Sequence, residues 1–436
     1  MMRIALFAAV LMAATPAVAW TPPPQTAATA GATAERPAPR ETVRAVAAAI
    51  RERYFDPAAG ERIAAALEAE AEAGAFDALT DPRDLAATLG ARLRPSDAHF
   101  NVVYRPGEAP PRAGPRREPE VGGGWDPERH GNYGFRRVEV LPGNVGYIEM
   151  TGFANIDFDD PADPARRAAD AALSFVGGTD AVIFDLRDNG GGAPSMVGYL
   201  VSAFTPADAD IYNVFHSREG TESEAPAVFH PSPRLDVPVY VLISARTGSA
   251  GEAFPYTLQA AGRATIVGDA SGGAANPGGM VPVGGGFAVF VSDGSPRNPI
   301  TGGNWEGTGV RPDVAAPWDQ ALDRAHGLAL QRIATTGDRP DAAWALEALQ
   351  ASPGPADLSA YAGAYGATTV RVEGDRLAVQ RGRRPPVMLR ALGEDLFTVA
   401  GDPTRRYRFE RGPDGAVVAY EALSPAGPGP RARRTD

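Results

Sequence analysis

Residues 239–252 read VYVLISARTGSAGE, and the change of texture inside this stretch decides the fold. Val239, Val241, Leu242 and Ile243 make an apolar, largely β-branched run, the pattern of a strand buried on both faces. The run then breaks into Thr247-Gly248-Ser249-Ala250-Gly251, and Glu252 to Gln259 reads as a helix. Ser249 therefore stands where a buried strand turns into a helix. Such a corner exposes a hydroxyl and aims first-turn N–H groups at whatever binds there. Two readings fit: a nucleophile presented on a strand–helix elbow, or a serine that caps the helix.

Outward from this stretch the same alternation repeats. Val145–Met150, Ala181–Phe184, Ala264–Gly268 and Phe287–Val291 read as strands; 165–175, 194–203 and 316–334 read as helices. Strands alternating with helices imply crossover connections and a largely parallel core, so the chain is α/β over 135–336. Before it, Val43, Val46, Ile50 and Tyr54 share a helical face, and Asp81-Pro82 opens a helix with Leu85, Leu89 and Leu93 one turn apart. Residues 40–104 thus read as a helical bundle ending in a loop, Arg94-Pro95-Ser96-Asp97-Ala98-His99, that feeds a short strand. Residues 105–134 are loop-like and too few for an inserted domain. After 336 the texture changes to two-residue alternation around Glu373-Gly374-Asp375, predicting a small antiparallel β domain over 355–424. The Pro/Gly/Arg-rich end, 424–436, reads as disordered.

The first residues, MMRIALFAAVLMAATPAVAW, carry one charge, a short apolar run and Ala17-Val18-Ala19. That is the pattern of a signal peptide over 1–19, with export to the periplasm or medium as the expectation. The run is too short for a membrane span, and none is expected later. Residues 20–39, rich in Pro, Thr and Ala, read as a disordered linker.

Composition narrows the chemistry. A chain of 436 residues implies more than one domain, and a net charge of −11 argues against a nucleic-acid partner. There is no cysteine, which removes disulfides, thiolate nucleophiles and Cys-bound metals together. All 42 Lys+Arg residues are arginine. A serine nucleophile then needs another base, and five histidines exist: His99, His130, His216, His230 and His326. His99, at a loop–strand junction beside an acidic residue, is reasonably placed, and proximity in the fold decides among the five. The glycines of Asp188-Asn189-Gly190-Gly191-Gly192 end a buried strand, where they serve either an oxyanion hole or merely a tight turn. Glu306, in a glycine-rich turn, either orients an imidazole or is a solvated carboxylate. No carboxylate cluster with ligand spacing accompanies His99, so neither metal nor cofactor is expected.

The segments DLRDNGGG (185–192), GSAGE (248–252) and EGTGVRPD (306–313), in this order, resemble the core of the C-terminal processing and tricorn-type serine peptidases, family S41. The helices running into Asp97-Ala98-His99 resemble the subgroup that includes interphotoreceptor retinoid-binding protein repeats. The resemblance covers about 40–330 and implies a crotonase-like (ClpP/crotonase-type) α/β core. It implies a serine peptidase acting on peptides or proteins, with Ser249 as nucleophile, His99 as base and Glu306 behind it. Ala250, Gly191 and Gly192 would supply the oxyanion hole, Gly191 foremost. The family's Ser–Lys arrangement is excluded by the absence of lysine. The tricorn-type serine that precedes the histidine is Ala98 here. Tail-specific members usually carry a PDZ domain, for which 105–134 has no room. A binding protein for an apolar ligand, and an esterase or amidase, are the alternatives on the same fold. The sequence leaves the oligomeric state open.

Overall fold

The computed structural model describes residues 38–106, 127–351 and 357–436. The expected signal peptide, nearly all of the 20–39 linker and residues 107–126 lie outside the described residues. Among the described residues, no helix is long and apolar enough to cross a membrane.

The centre is a six-stranded sheet ordered Val314–Ala315, Ala264–Gly268, Val239–Ile243, Ala181–Asp185, Val145–Met150 and Phe135–Leu141. All neighbours are parallel except the last pair, so a parallel core carries one antiparallel edge. Strands 181–185 and 239–243 are buried at every residue, which explains their unbroken apolar sequence. One sheet face packs Phe184, Val241 and Ile266 against Leu200, Phe254 and Leu258. The other packs Ile183, Tyr240 and Leu242 against Ala325, Ala329 and Leu330 of the helix Ala321–Ala334. That helix begins later than the expected 316, because Val314–Ala315 is drawn into the sheet as its edge strand.

Two expectations need correction. The strand Phe287–Ser292 is not part of the parallel sheet. It pairs antiparallel with Val102–Tyr104 and Gly278–Gly284 in a separate three-stranded sheet. Its Phe287, Val289 and Val291 complete the core of the N-terminal helices Pro39–Arg53, Pro57–Glu72 and Pro82–Leu93. The helical bundle therefore closes on a strand from the α/β half, and that strand holds the His99 segment against it. The chain end is also ordered. Gly427–Arg433 is the last strand of an eight-stranded antiparallel meander that starts at Gly363. Its prolines sit on an outer strand, where a missing N–H costs no ladder bond. Beyond it, Thr435 N–H donates to the Ala364 carbonyl at 2.8 Å, bringing the end of the meander back to its beginning.

Because Phe287 lies 4% exposed in the bundle core, Phe287→Ala is expected to cost about 3–5 kcal/mol. Urea unfolding followed by helical ellipticity checks this. A loss below about 1 kcal/mol would show that the helices hold together without the strand.

Candidate active site

The strand 239–243 ends at Ser244, and the loop that follows is laced to the loop after Asp185. Thr247 Oγ1 donates to the Leu186 carbonyl (2.7 Å), Ser244 Oγ to that of Arg187 (2.6 Å), and Gly248 N–H to that of Asn189 (3.0 Å). The glycine triplet is thereby fixed beside Ser249. A Cβ on Gly191 would lie 2.7 Å from Ser249 Cβ, so only glycine fits there. The helix Ala250–Ala260 starts directly after the serine.

Ser249 has φ +54°, a conformation costing a non-glycine residue about 1–3 kcal/mol. What holds it is Glu252, which is fully buried. Glu252 Oε2 accepts the Ser249 N–H at 2.9 Å and the Ala274 N–H at 2.8 Å. Its Oε1 accepts the Ser271 hydroxyl at 2.5 Å and the Gly273 N–H at 2.7 Å. The first-turn N–H groups of Gly251, Glu252 and Ala253 go to the carbonyls of Gly248 and Ser249. The backbone carbonyls thus take these first-turn N–H groups, Ser249 and Glu252 stand in capping-box spacing, and Ser249 is exposed.

The same loop continues into Glu306. Ala275 and Asn276 donate their N–H groups to Glu306 Oε2 at 2.8 and 3.0 Å. Four successive amides, 273 to 276, are therefore shared between two glutamates. The Glu306 turn is docked by Trp305, buried at 1% exposure, whose Nε1 donates to the Ala274 carbonyl at 3.2 Å. Gly309 packs so closely that a Cβ would fall 2.4 Å from the Ser271 carbonyl oxygen.

His99 completes the arrangement. Its Nδ1 lies 3.3 Å from Glu306 Oε2 and 3.4 Å from Asp97 Oδ1. Neither approach is aligned as a hydrogen bond, so the ring faces both carboxylates through charge. Asp97 is itself held: it accepts the His99 N–H at 2.8 Å and Asn276 Nδ2 at 3.2 Å. Ala98 takes part through its backbone, whose N–H reaches Glu306 Oε1 at 3.2 Å. Burial alone favours the neutral imidazole, but Asp97 and Glu306 outweigh it and push His99 up to about 9. Burial opposes the Asp97 charge in turn, yet its bonds with His99 and Asn276 hold the carboxyl below its ordinary range. Burial and the Asp97 charge together raise the phenol of Tyr54.

The other described histidines are placed otherwise. His326 is buried with Nε2 on the Pro142 carbonyl at 2.8 Å, and His230 packs edge-on against Tyr199. His216 lies on an exposed strand segment and His130 in a four-residue helix. Of the proposed oxyanion donors, Gly191 is redirected: its N–H is bonded to Asn189 Oδ1 at 2.9 Å. The N–H groups of Ala250 and Gly192 are unpartnered among the described residues. Sequence reasoning missed the roles of Asp97, Glu252 and Asn189. The signal for Glu252 was its place three residues after a helix-starting serine, a spacing that lets a carboxylate reach back to the first N–H.

Ligand atoms of Asp97, His99 and Glu306 lie within 4.8 Å of one another, a spacing that a cation bridges. The carboxylate oxygens are already turned onto backbone N–H groups on both sides, which suits them to an imidazolium as that cation.

Two outcomes test this geometry. Glu252→Gln puts an NH₂ where only donors converge, so stability is expected to fall by about 1.5–3 kcal/mol, read by chemical denaturation. The imidazole of His99, followed by NMR, is expected to titrate near 9. A value near the ordinary 6.5 would contradict the two-carboxylate environment. Because the folded value lies above the unfolded one, the associated stability is complete below about pH 6.5 and is lost as pH rises toward 9.

Residues 144–316 match the family model of Peptidase family S41. Among solved structures, the chain is similar to the photosystem II D1 C-terminal processing protease, 22% identical, with a TM-score of 0.32 over 40% of this chain and 43% of that one. A protein of Parabacteroides merdae, provisionally described as a peptidase, is 18% identical, with a TM-score of 0.46 over 67% of this chain and 97% of that one. Mature CPAF in complex with lactacystin is 18% identical, with a TM-score of 0.35 over 44% and 52%. This chain thus spans less than half the length of the D1 processing protease and about half that of mature CPAF. The segment that matches the model of Peptidase family S41, 144–316, carries both the Ser249 elbow and the Glu306 turn.

Proposed function

We propose that the chain is an exported serine peptidase that cleaves peptide bonds through an acyl-enzyme on Ser249. The observation that carries this reading is the shared loop. Amides 273–276 bind Glu252, which holds the serine backbone, and Glu306, which faces His99. One segment thereby ties the proposed nucleophile's corner to the proposed base's carboxylate, as positioned acid–base chemistry demands.

In the reaction, His99 takes the Ser249 proton through Nε2 as Oγ attacks the peptide carbonyl. The carbonyl oxygen becomes an oxyanion, received by the free N–H groups of Ala250 and Gly192. The imidazolium, now facing Asp97 and Glu306, is stabilised as it forms. It returns its proton to the leaving amine as the C–N bond breaks, and the acyl group stays on Ser249. Water then repeats the sequence and releases the acid. Ala98 replaces a hydroxyl relay with a direct approach of Glu306 to the ring. Export rests on the Arg3, apolar-run and Ala17-Val18-Ala19 pattern at the start of the sequence. The domain division read from the sequence, a helical unit over 40–104, the catalytic core over 135–336 and a β domain from 355, goes with this reading.

A fluorophosphonate probe tests the nucleophile. Wild type is expected to label, Ser249→Ala to lose the label, and His99→Ala to slow labelling by about 10²–10⁴-fold. Equal labelling of Ser249→Ala would remove the assignment. The pH dependence follows from His99: it is a base only once deprotonated, so kcat/KM should rise with pH through about 9. Glu306→Gln removes one anion, lowers the imidazole pKa and should move that limb down by about one unit. A limb unmoved by this change would show that Glu306 does not face the catalytic imidazole. Treatment with a chelator should leave the activity intact.

A further inference from the structure

The three-stranded sheet that carries His99's neighbours has one face that is only half-buried among the described residues. Its inner face, Val102, Phe287, Val289 and Val291, sits in the helical core. Strand alternation puts Val103, Ala288 and Phe290 on the opposite face, and the register adds Met280 opposite Phe290 and Pro282 opposite Ala288. Val103, Met280, Ala288 and Phe290 are half-buried, Pro282 is exposed, and none belongs to a hydrophobic core. The ring of Phe290 lies alongside the His99 imidazole, with centroids 5.7 Å apart and planes 24° from parallel. Burying a phenylalanine side chain is worth about 1.5–3 kcal/mol. Here much of that burial is left undone at the edge of the base.

The chemistry of the histidine says which part of a substrate meets this shelf. The imidazole gives its proton to the leaving amine, so it stands on the leaving-group side of the scissile bond. The residue whose amine leaves is thus the one that passes beside Phe290. The side chains of Val103, Met280, Ala288 and Phe290 offer neither a charge nor a hydrogen-bond donor, so a small polar residue gains little from them, whereas a large apolar one excludes water from both surfaces.

We propose that Phe290, with Met280, Ala288 and Val103, forms the subsite for the substrate side chain immediately after the scissile bond. It selects substrates with a large aliphatic or aromatic residue at that position. This rests on the serine-peptidase reading above, and the test separates the two. A peptide library differing only at the residue after the cleaved bond is digested by the full chain and read by mass spectrometry. Wild type is expected to prefer Phe, Leu or Met over Ser or Asp by about 10-fold or more in kcat/KM. Phe290→Ala should collapse that preference at least several-fold, mainly through KM for the apolar substrates, and Phe290→Leu should restore most of it. If wild type cleaves without preference at this position, or if Phe290→Ala slows all substrates by one common factor, the subsite is overturned and Phe290 only props the imidazole. If wild type neither cleaves nor takes the fluorophosphonate at Ser249, the peptidase reading itself fails, and the subsite with it.

Discussion

The structure around Ser249 depends on one fully buried carboxylate. Glu252 is fully enclosed, and its two oxygens accept four donors, from Ser249, Ser271, Gly273 and Ala274. A buried charge is costly unless its hydrogen-bonding capacity is filled, and here it is. The same bonds hold a non-glycine residue at positive φ and pin the loop on which Glu306 leans. The strain of the elbow and the placement of the histidine's carboxylate are thus set by one interaction. The elbow is what exposes Ser249, so the interaction also sets where that hydroxyl stands at the helix start.

His99 carries the second constraint. Two carboxylates within 3.4 Å of Nδ1 favour the imidazolium and raise the pKa of the ring. In the proposed reaction, that environment would lower the fraction of deprotonated base while stabilising the charge that develops during attack. Asp97 and Glu306 are not redundant. Asp97 is locked to the His99 backbone and to Asn276, while Glu306 is locked to Ala98, Ala275 and Asn276. The imidazole sits where the N-terminal loop and the α/β core meet.

Much of this was legible in the sequence, and for identifiable reasons. Strands 181–185 and 239–243 announced themselves because burial on both faces requires uninterrupted apolar residues. The elbow was legible because small residues interrupt one of them at its carboxyl end. The strand Phe287–Ser292 was legible as a strand but not as a member of the bundle, since alternation gives a face and not the partner that covers it. Its outer face, with Phe290 against His99, could only emerge from the register. Gly191 was read as an oxyanion donor from its place in the triplet. The competing acceptor, Asn189 Oδ1, sits two residues earlier, and only the loop's conformation brings it onto that N–H. The Pro- and Gly-rich end at 427–433 looked unstructured because composition does not reveal that an outer strand can spare its N–H groups.

The most direct test of the account is a crystal structure of the chain after reaction with a fluorophosphonate. Phosphorus is expected on Ser249 Oγ, its oxygen within hydrogen-bond distance of the N–H groups of Ala250 and Gly192, and His99 Nε2 facing the leaving side with Nδ1 still between Asp97 and Glu306. An adduct on another residue, or His99 turned away from the modified serine, would contradict it.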